Sequence, residues 1–140
     1  MVYPRNQAEP SFIEKLISAL SYIQPLIGFI FIIIAALMKK NMKPFLKFHI
    51  FQSIFIAFTL WIVVTGLTYA MNLVSYIPVV KNIVGMITFF LNTPILLSFS
   101  IVTFVYFILI AYLIIGVIRG TYSYLPWVTD IIKTNLRGQI

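Results

Sequence analysis

Apolar positions run without a charged side chain through three long stretches, 16–38, 48–80 and 82–118. About 18 or more apolar residues suffice for a helix to cross a bilayer core of roughly 30 Å. One soluble core cannot hide three such runs in 140 residues. The pattern predicts an all-α integral membrane helical bundle. It has three full spans, about 16–38, 48–71 and 95–118, and a short re-entrant or partial fourth hydrophobic segment at 77–91. Residues 1–10 read as a polar tail and 125–137 as an interfacial tail with Trp127 at the headgroup level. Residues 1–140 form a single membrane domain.

Local signals refine the boundaries. Ser11 with Glu14 three residues on fits a capping box, so a helix starts there. It is expected to run on to about residue 38 with a kink at Pro25. The run is too long for a signal-peptide core and reads as a retained span. Asn92-Thr93-Pro94 interrupts the third run, and Gly120 and Pro126 mark its exit.

Each span carries a seam of small or polar residues at spacings of three and four, the pattern by which helices associate in lipid. In the first these are Ser21, Gln24, Gly28, Phe31 and Ala35. In the second they are His49, Gln52, Ser53, Thr59, Gly66 and Ala70, with Phe51, Phe58, Trp61 and Tyr69 facing away. In the third they are Ser98, Val102, Val105, Leu109, Tyr112, Gly116 and Gly120. Gln24, His49 and Gln52 are the candidate polar helix-packing contacts. His49 and Gln52 lie on one helix face at the mouth of the second span; the expected partner is the loop-side end of the first span or the backbone near the exit around 116–120, and not Gln24, which belongs near the opposite end of the first span.

Composition fits a membrane class: 61% hydrophobic and 9% charged, with a mean hydropathy of +1.04. The net charge of +7 sits beside apolar runs, which points to lipid headgroups and orientation and not to nucleic acid. With three spans, seven bases share a side with the first loop and C-terminus, and Arg5, Lys15 and Lys81 lie opposite. That predicts the C-terminus on the cytoplasmic or stromal side. Lys39, Lys40, Lys43 and Lys47 are the candidate anionic-lipid contacts. No catalytic residue, cofactor or metal is expected. Cysteine is absent, His49 is the lone histidine, and no carboxylate lies within the spans.

Four segments together resemble the chloroplast inner-envelope Tic translocon's twenty-kilodalton membrane subunit and its cyanobacterial relatives. Ser18-Ala19-Leu20-Ser21-Tyr22-Ile23-Gln24-Pro25-Leu26 resembles that family's Ser-Ala-Leu-x-Tyr-x-x-Pro-Leu opening. Lys47-Phe48-His49-Ile50-Phe51-Gln52-Ser53-Ile54 is similar to its Arg-Phe-Asn-x-Met-Gln-Ala-Ile, with His49 in place of Asn. Asn92-Thr93-Pro94-Ile95-Leu96-Leu97 resembles its Asn-Thr-x-Phe-Leu. The segment from Gly120 to Asp130 is similar to its Gly-x-Tyr-x-x-Pro tail. Family members carry a further span between the first two motifs, and a shorter group of small bacterial membrane proteins shares part of the pattern. The resemblance implies a non-enzymatic component of a protein-import translocon in a bacterial inner membrane or plastid-type inner envelope. Its partners would be the bilayer, other membrane subunits or a translocating polypeptide. The short relatives imply instead a structural or assembly protein.

Overall fold

The computed structural model describes residues 9–94 and 99–135. Among them the chain forms six helices: α1 Phe12–Ile23, α2 Pro25–Leu37, α3 Pro44–Val74, α4 Pro78–Asn92, α5 Ile101–Ile118 and α6 Val128–Asn135. Two of these, α3 and α5, are long and apolar enough to cross a membrane. Only 22% and 11% of their most apolar stretches are covered by protein, whereas a soluble protein's core helix is mostly covered. The chain divides into two compact units, Met1–Phe58 with Ile110–Ile140, and Thr59–Leu109.

In the first unit, α1 starts as its sequence predicts. Ser11 N donates to Glu14 Oε2 at 2.8 Å, and Glu14 N donates to Ser11 Oγ at 3.4 Å. The expected single helix over 16–38 does not form. α1 stops at Ile23, Gln24 is extended (φ −136°, ψ 98°), and α2 begins at Pro25. A residue preceding proline is pushed out of the α region, and Pro25 has no N–H to continue the ladder. Residues 21 and 28 of an unbroken helix would stand about 10 Å apart along its axis. Here a Cβ added at Gly28 would lie 2.8 Å from Ser21 Oγ and 2.9 Å from Ile50 Cγ2. The chain therefore folds back at Gln24–Pro25, and the missing side chain of Gly28 is what permits the approach. Ser21, Gly28 and Ala35 of the first seam are buried, while Gln24 is exposed.

Both α2 and α5 end in the same backbone closure. Lys39 N and Lys40 N bond back to Ala36 O and Ala35 O; Gly120 N and Thr121 N do the same to Val117 O and Gly116 O. Lys39 and Gly120 sit at positive φ, as this cap requires. On α5 the buried positions are Leu113 and Val117, one residue on from the predicted Tyr112 and Gly116, and Val102 and Val105 are exposed. α5 is apolar all round, so its periodicity does not mark a face. Ser98 and the start of the third predicted span at 95 lie outside the described residues, as do 1–8 of the tail and the last residues of 125–137.

The second unit holds the later part of α3, a turn at 75–77, α4 and the start of α5. The expected short segment at 77–91 is the helix α4, which ends where Thr93 precedes Pro94. Thr88 Oγ1 lies 3.4 Å from Met71 Sδ and ties α4 to α3. The predicted seam of α3 fails here: Thr59, Gly66 and Ala70 are exposed, and nothing lies within 4 Å of a Cβ placed at Gly66.

Candidate functional site

α3 opens with a stretch that is covered by protein: Phe45, Leu46, Phe48, His49, Ile50, Gln52, Ser53 and Ile56 are all buried. Two polar side chains, His49 and Gln52, thus lie at the centre of the first unit with no exposed surface. A buried polar group without a partner is costly, so each needs one. α1 supplies the first. The hydroxyl of Tyr22 donates to Gln52 Oε1 at 2.6 Å and lies 2.9 Å from His49 Nδ1. The segment after α5 supplies the rest. Gln52 Nε2 donates to Ser123 O at 3.1 Å and to Thr129 Oγ1 at 3.3 Å. Leu125 N donates to Thr129 Oγ1 at 2.7 Å, which holds that hydroxyl in place.

These partners determine the hydrogens. A carbonyl only accepts, so the Gln52 amide turns its NH₂ to Ser123 and its oxygen to Tyr22. The single phenolic proton of Tyr22 is then used on Gln52. Its oxygen lies within hydrogen-bond distance of His49 Nδ1, and the imidazole tautomer sets the direction of that contact. Nε2 makes no hydrogen bond of ordinary geometry among the described residues; the Thr121 backbone interacts with the ring more loosely. Four aromatic rings enclose the imidazole. Phe45 and Phe48 stand edge-on at 4.4 and 5.2 Å, Tyr22 edge-on at 5.9 Å, and Tyr122 stacks at 6.1 Å with a 9° interplanar angle.

Tyr22, Gln52 and Thr129 are at most 1% exposed. Every hydrogen-bonding group of Gln52 is engaged, and the Tyr22 proton is committed. The node joins three stretches of chain, and no member presents a free nucleophile to a solvent path. Nearby hydroxyls point inward on their own helices: Ser21 Oγ donates to Ile17 O and Ser53 Oγ to Ile50 O, both at 2.8 Å. Among the described residues, no three of His, Cys, Asp and Glu gather as metal ligands.

The structure brings His49 and Gln52 together, with a partner just beyond the predicted exit at 116–120. Gln24 does not join them. It is exposed at the fold-back, with no side-chain hydrogen bond at the start of α2, because the break at Pro25 turns it away from the packed face. Tyr22, Ser123 and Thr129 stand in the resembling segments, but no spacing in the sequence marks them as partners of Gln52. Of the four lysines, Lys39 and Lys40 are exposed and suited to lipid headgroups. Lys43 instead pairs with Glu14 at 2.9 Å. Lys47 is half-buried.

No protein-family model, no curated protein and no solved structure matches the chain.

Proposed function

We propose that the chain is an integral membrane protein crossing the bilayer twice, through α3 and α5, with α1 and α2 as a hairpin that enters and leaves on one side. At about 1.5 Å per residue, α1 and α2 span roughly 18 and 20 Å each, short of a core near 30 Å. This topology replaces the three crossings expected from hydropathy. It also places nine bases on one side and only Lys81 on the other, a steeper bias than seven against three. That side is the cytoplasmic or stromal one by the positive-inside rule.

Within that topology we propose a non-enzymatic subunit of a membrane assembly that assists polypeptide transport, as the resemblance implies. One observation carries this reading. Tyr22, the pair His49 and Gln52, and the pair Ser123 and Thr129 come from three of the four resembling segments, and they meet in one hydrogen-bonded node. Residues so enclosed hold a scaffold together and do not meet substrate, so the resemblance is best read as a shared scaffold. The test is photo-crosslinking from the exposed Phe58 and Tyr69 to an arrested translocating polypeptide, with a pull-down in mild detergent. Crosslinks to the arrested chain support transport. Co-purifying membrane subunits without such crosslinks would favour the structural or assembly role, and extraction of the chain by alkaline carbonate would overturn the membrane reading.

A further inference from the structure

The second unit contains a cleft, apolar over most of its lining and edged by polar side chains, that the buried node does not explain. It lies between the last turns of α3 and the length of α4, with a volume of about 1130 Å³. Thr68, Asn72 and Ser75 recur at spacings of four and three on the α3 side. Lys81, Gly85, Thr88 and Asn92 recur at four, three and four on the α4 side, with Asn82 beside them. A row of polar side chains on each helix thus edges the cleft, and the Thr88–Met71 contact holds the two helices together.

The hydroxyls of Thr68 and Ser75 are spent on Val64 O and Asn72 O. The side chains of Asn72, Asn82, Asn92 and Lys81 make no hydrogen bond to a described residue. One ammonium and three primary amides therefore leave donors directed at an open cleft. No Asp or Glu occurs anywhere from 59 to 109, so Lys81 is the unit's only charge and has no acid beside it. Such a set fits an acceptor-rich anion. The remaining wall, with Val84, Met86 and Phe89, is apolar. Position supplies the rest. With 31 residues, α3 is about 46 Å long, some 16 Å more than the hydrocarbon core. In the proposed two-crossing topology the chain turns at 75–77 on the far side of the bilayer, and Lys81 follows that turn near headgroup level.

We propose that this cleft binds the phosphate-bearing headgroup of an anionic phospholipid, with Lys81 as counter-charge, Asn72 and Asn82 as donors and the apolar wall along the acyl chains. A free phosphate has no use for the apolar wall. A symmetric second copy would bring Lys81 against Lys81 with no acid in the unit to relieve the repulsion. The inference rests on the membrane reading above, and the experiment separates the two.

The full chain is reconstituted in nanodiscs of mixed phosphatidylcholine and phosphatidylglycerol, released, and weighed by native mass spectrometry. Wild type is expected to retain phosphatidylglycerol over phosphatidylcholine by about fivefold, the scale of one basic residue at an anionic surface. Lys81→Gln should abolish that preference, Lys81→Arg should keep it, and Asn82→Asp should reduce it. Arg119→Gln, outside the cleft, should leave it unchanged. Equal retention of both lipids by wild type would overturn the site, as would an equal loss in the Arg119→Gln variant. Displacement of the lipid by inorganic phosphate would assign the cleft to a free anion, and a lipid-free dimer mass to a second copy; both overturn the proposal. Failure of every variant to enter nanodiscs would overturn the membrane reading itself.

Discussion

Glu14 Oε1 lies 2.9 Å from Lys43 Nζ while its other oxygen caps α1 at Ser11 N. One acid thus joins the start of α1 to the residue just before α3. The Lys43 side chain is 52% exposed, so the ion pair itself contributes about 1 kcal/mol at most. Its meaning is positional: with the fold-back at Gln24–Pro25, it holds the two ends of the α1–α2 hairpin together.

Topology follows from that placement. The chain has no cysteine, so single cysteines report cleanly. Cysteines replacing Ser11, Asn41 and Gln139 should label from the same side of the membrane, and one replacing Tyr76 from the other. Labelling of Ser11 and Asn41 from opposite faces would restore a full first crossing and remove the hairpin.

The buried node predicts a ranking. Gln52→Leu strands the Tyr22 proton, the Ser123 carbonyl and one side of Thr129, and should cost about 2–3 kcal/mol. Tyr22→Phe and His49→Leu each remove fewer partners and should cost about 1 kcal/mol. His49→Asn keeps a hydrogen-bonding group for Tyr22 and should be tolerated better than His49→Leu. Thermal denaturation in detergent checks the order, and a Gln52→Leu protein as stable as wild type would refute it.

Glycines separate by what surrounds them. Gly28→Leu drives a side chain into Ser21 and Ile50, and Gly116→Leu into the Ser123 hydroxyl. Each should cost about 1–3 kcal/mol through overpacking. Gly66→Leu meets nothing and should change stability by under about 0.5 kcal/mol, as should Phe58→Leu. Aggregation temperature across the four variants tests this.

Tyr124 lies beyond α5, and its hydroxyl donates to Asp130 Oδ2 at 3.1 Å. That hydrogen bond, then the carboxylate's charge, raise the phenol above its usual 10.0. A raised acid favours the folded state until pH climbs past the unfolded value, so this contribution is lost above about pH 10. Burial also raises Tyr22 and Tyr122, so ultraviolet titration should show several late tyrosines, one of which returns toward the ordinary range in Asp130→Asn. An unchanged titration would mean the contact does not persist.

Some of this architecture is written locally and some is not. Ser11 and Glu14 announce the start of α1 because a capping box needs only four adjacent residues. His49 and Gln52 stand out because two polar side chains share one face of an apolar run. Pro25 is visible too, but a proline in an apolar helix more often kinks than reverses it. The reversal depends on Gln24 turning extended and on Gly28 meeting Ile50, a contact between distant positions. Tyr22 stands in a resembling segment, but one hydroxyl among Leu20, Ile23 and Leu26 does not tell which residues it will bond. On α5, apolar on every side, only packing selects Leu113 and Val117.

Gln52 and Ser123 stand 71 positions apart, and that separation sets an order of assembly. During synthesis the ribosome delivers Tyr22 and Gln52 early, and they can meet as soon as α3 begins to form. The acceptor that fixes the Gln52 amide arrives only after α4 and α5 have been made. Until then a primary amide waits at the head of the long apolar helix α3, open to water or to a chaperone. Arrested chains ending before Thr121 should therefore be the protease-sensitive ones, and those extending past Thr129 the first to become resistant.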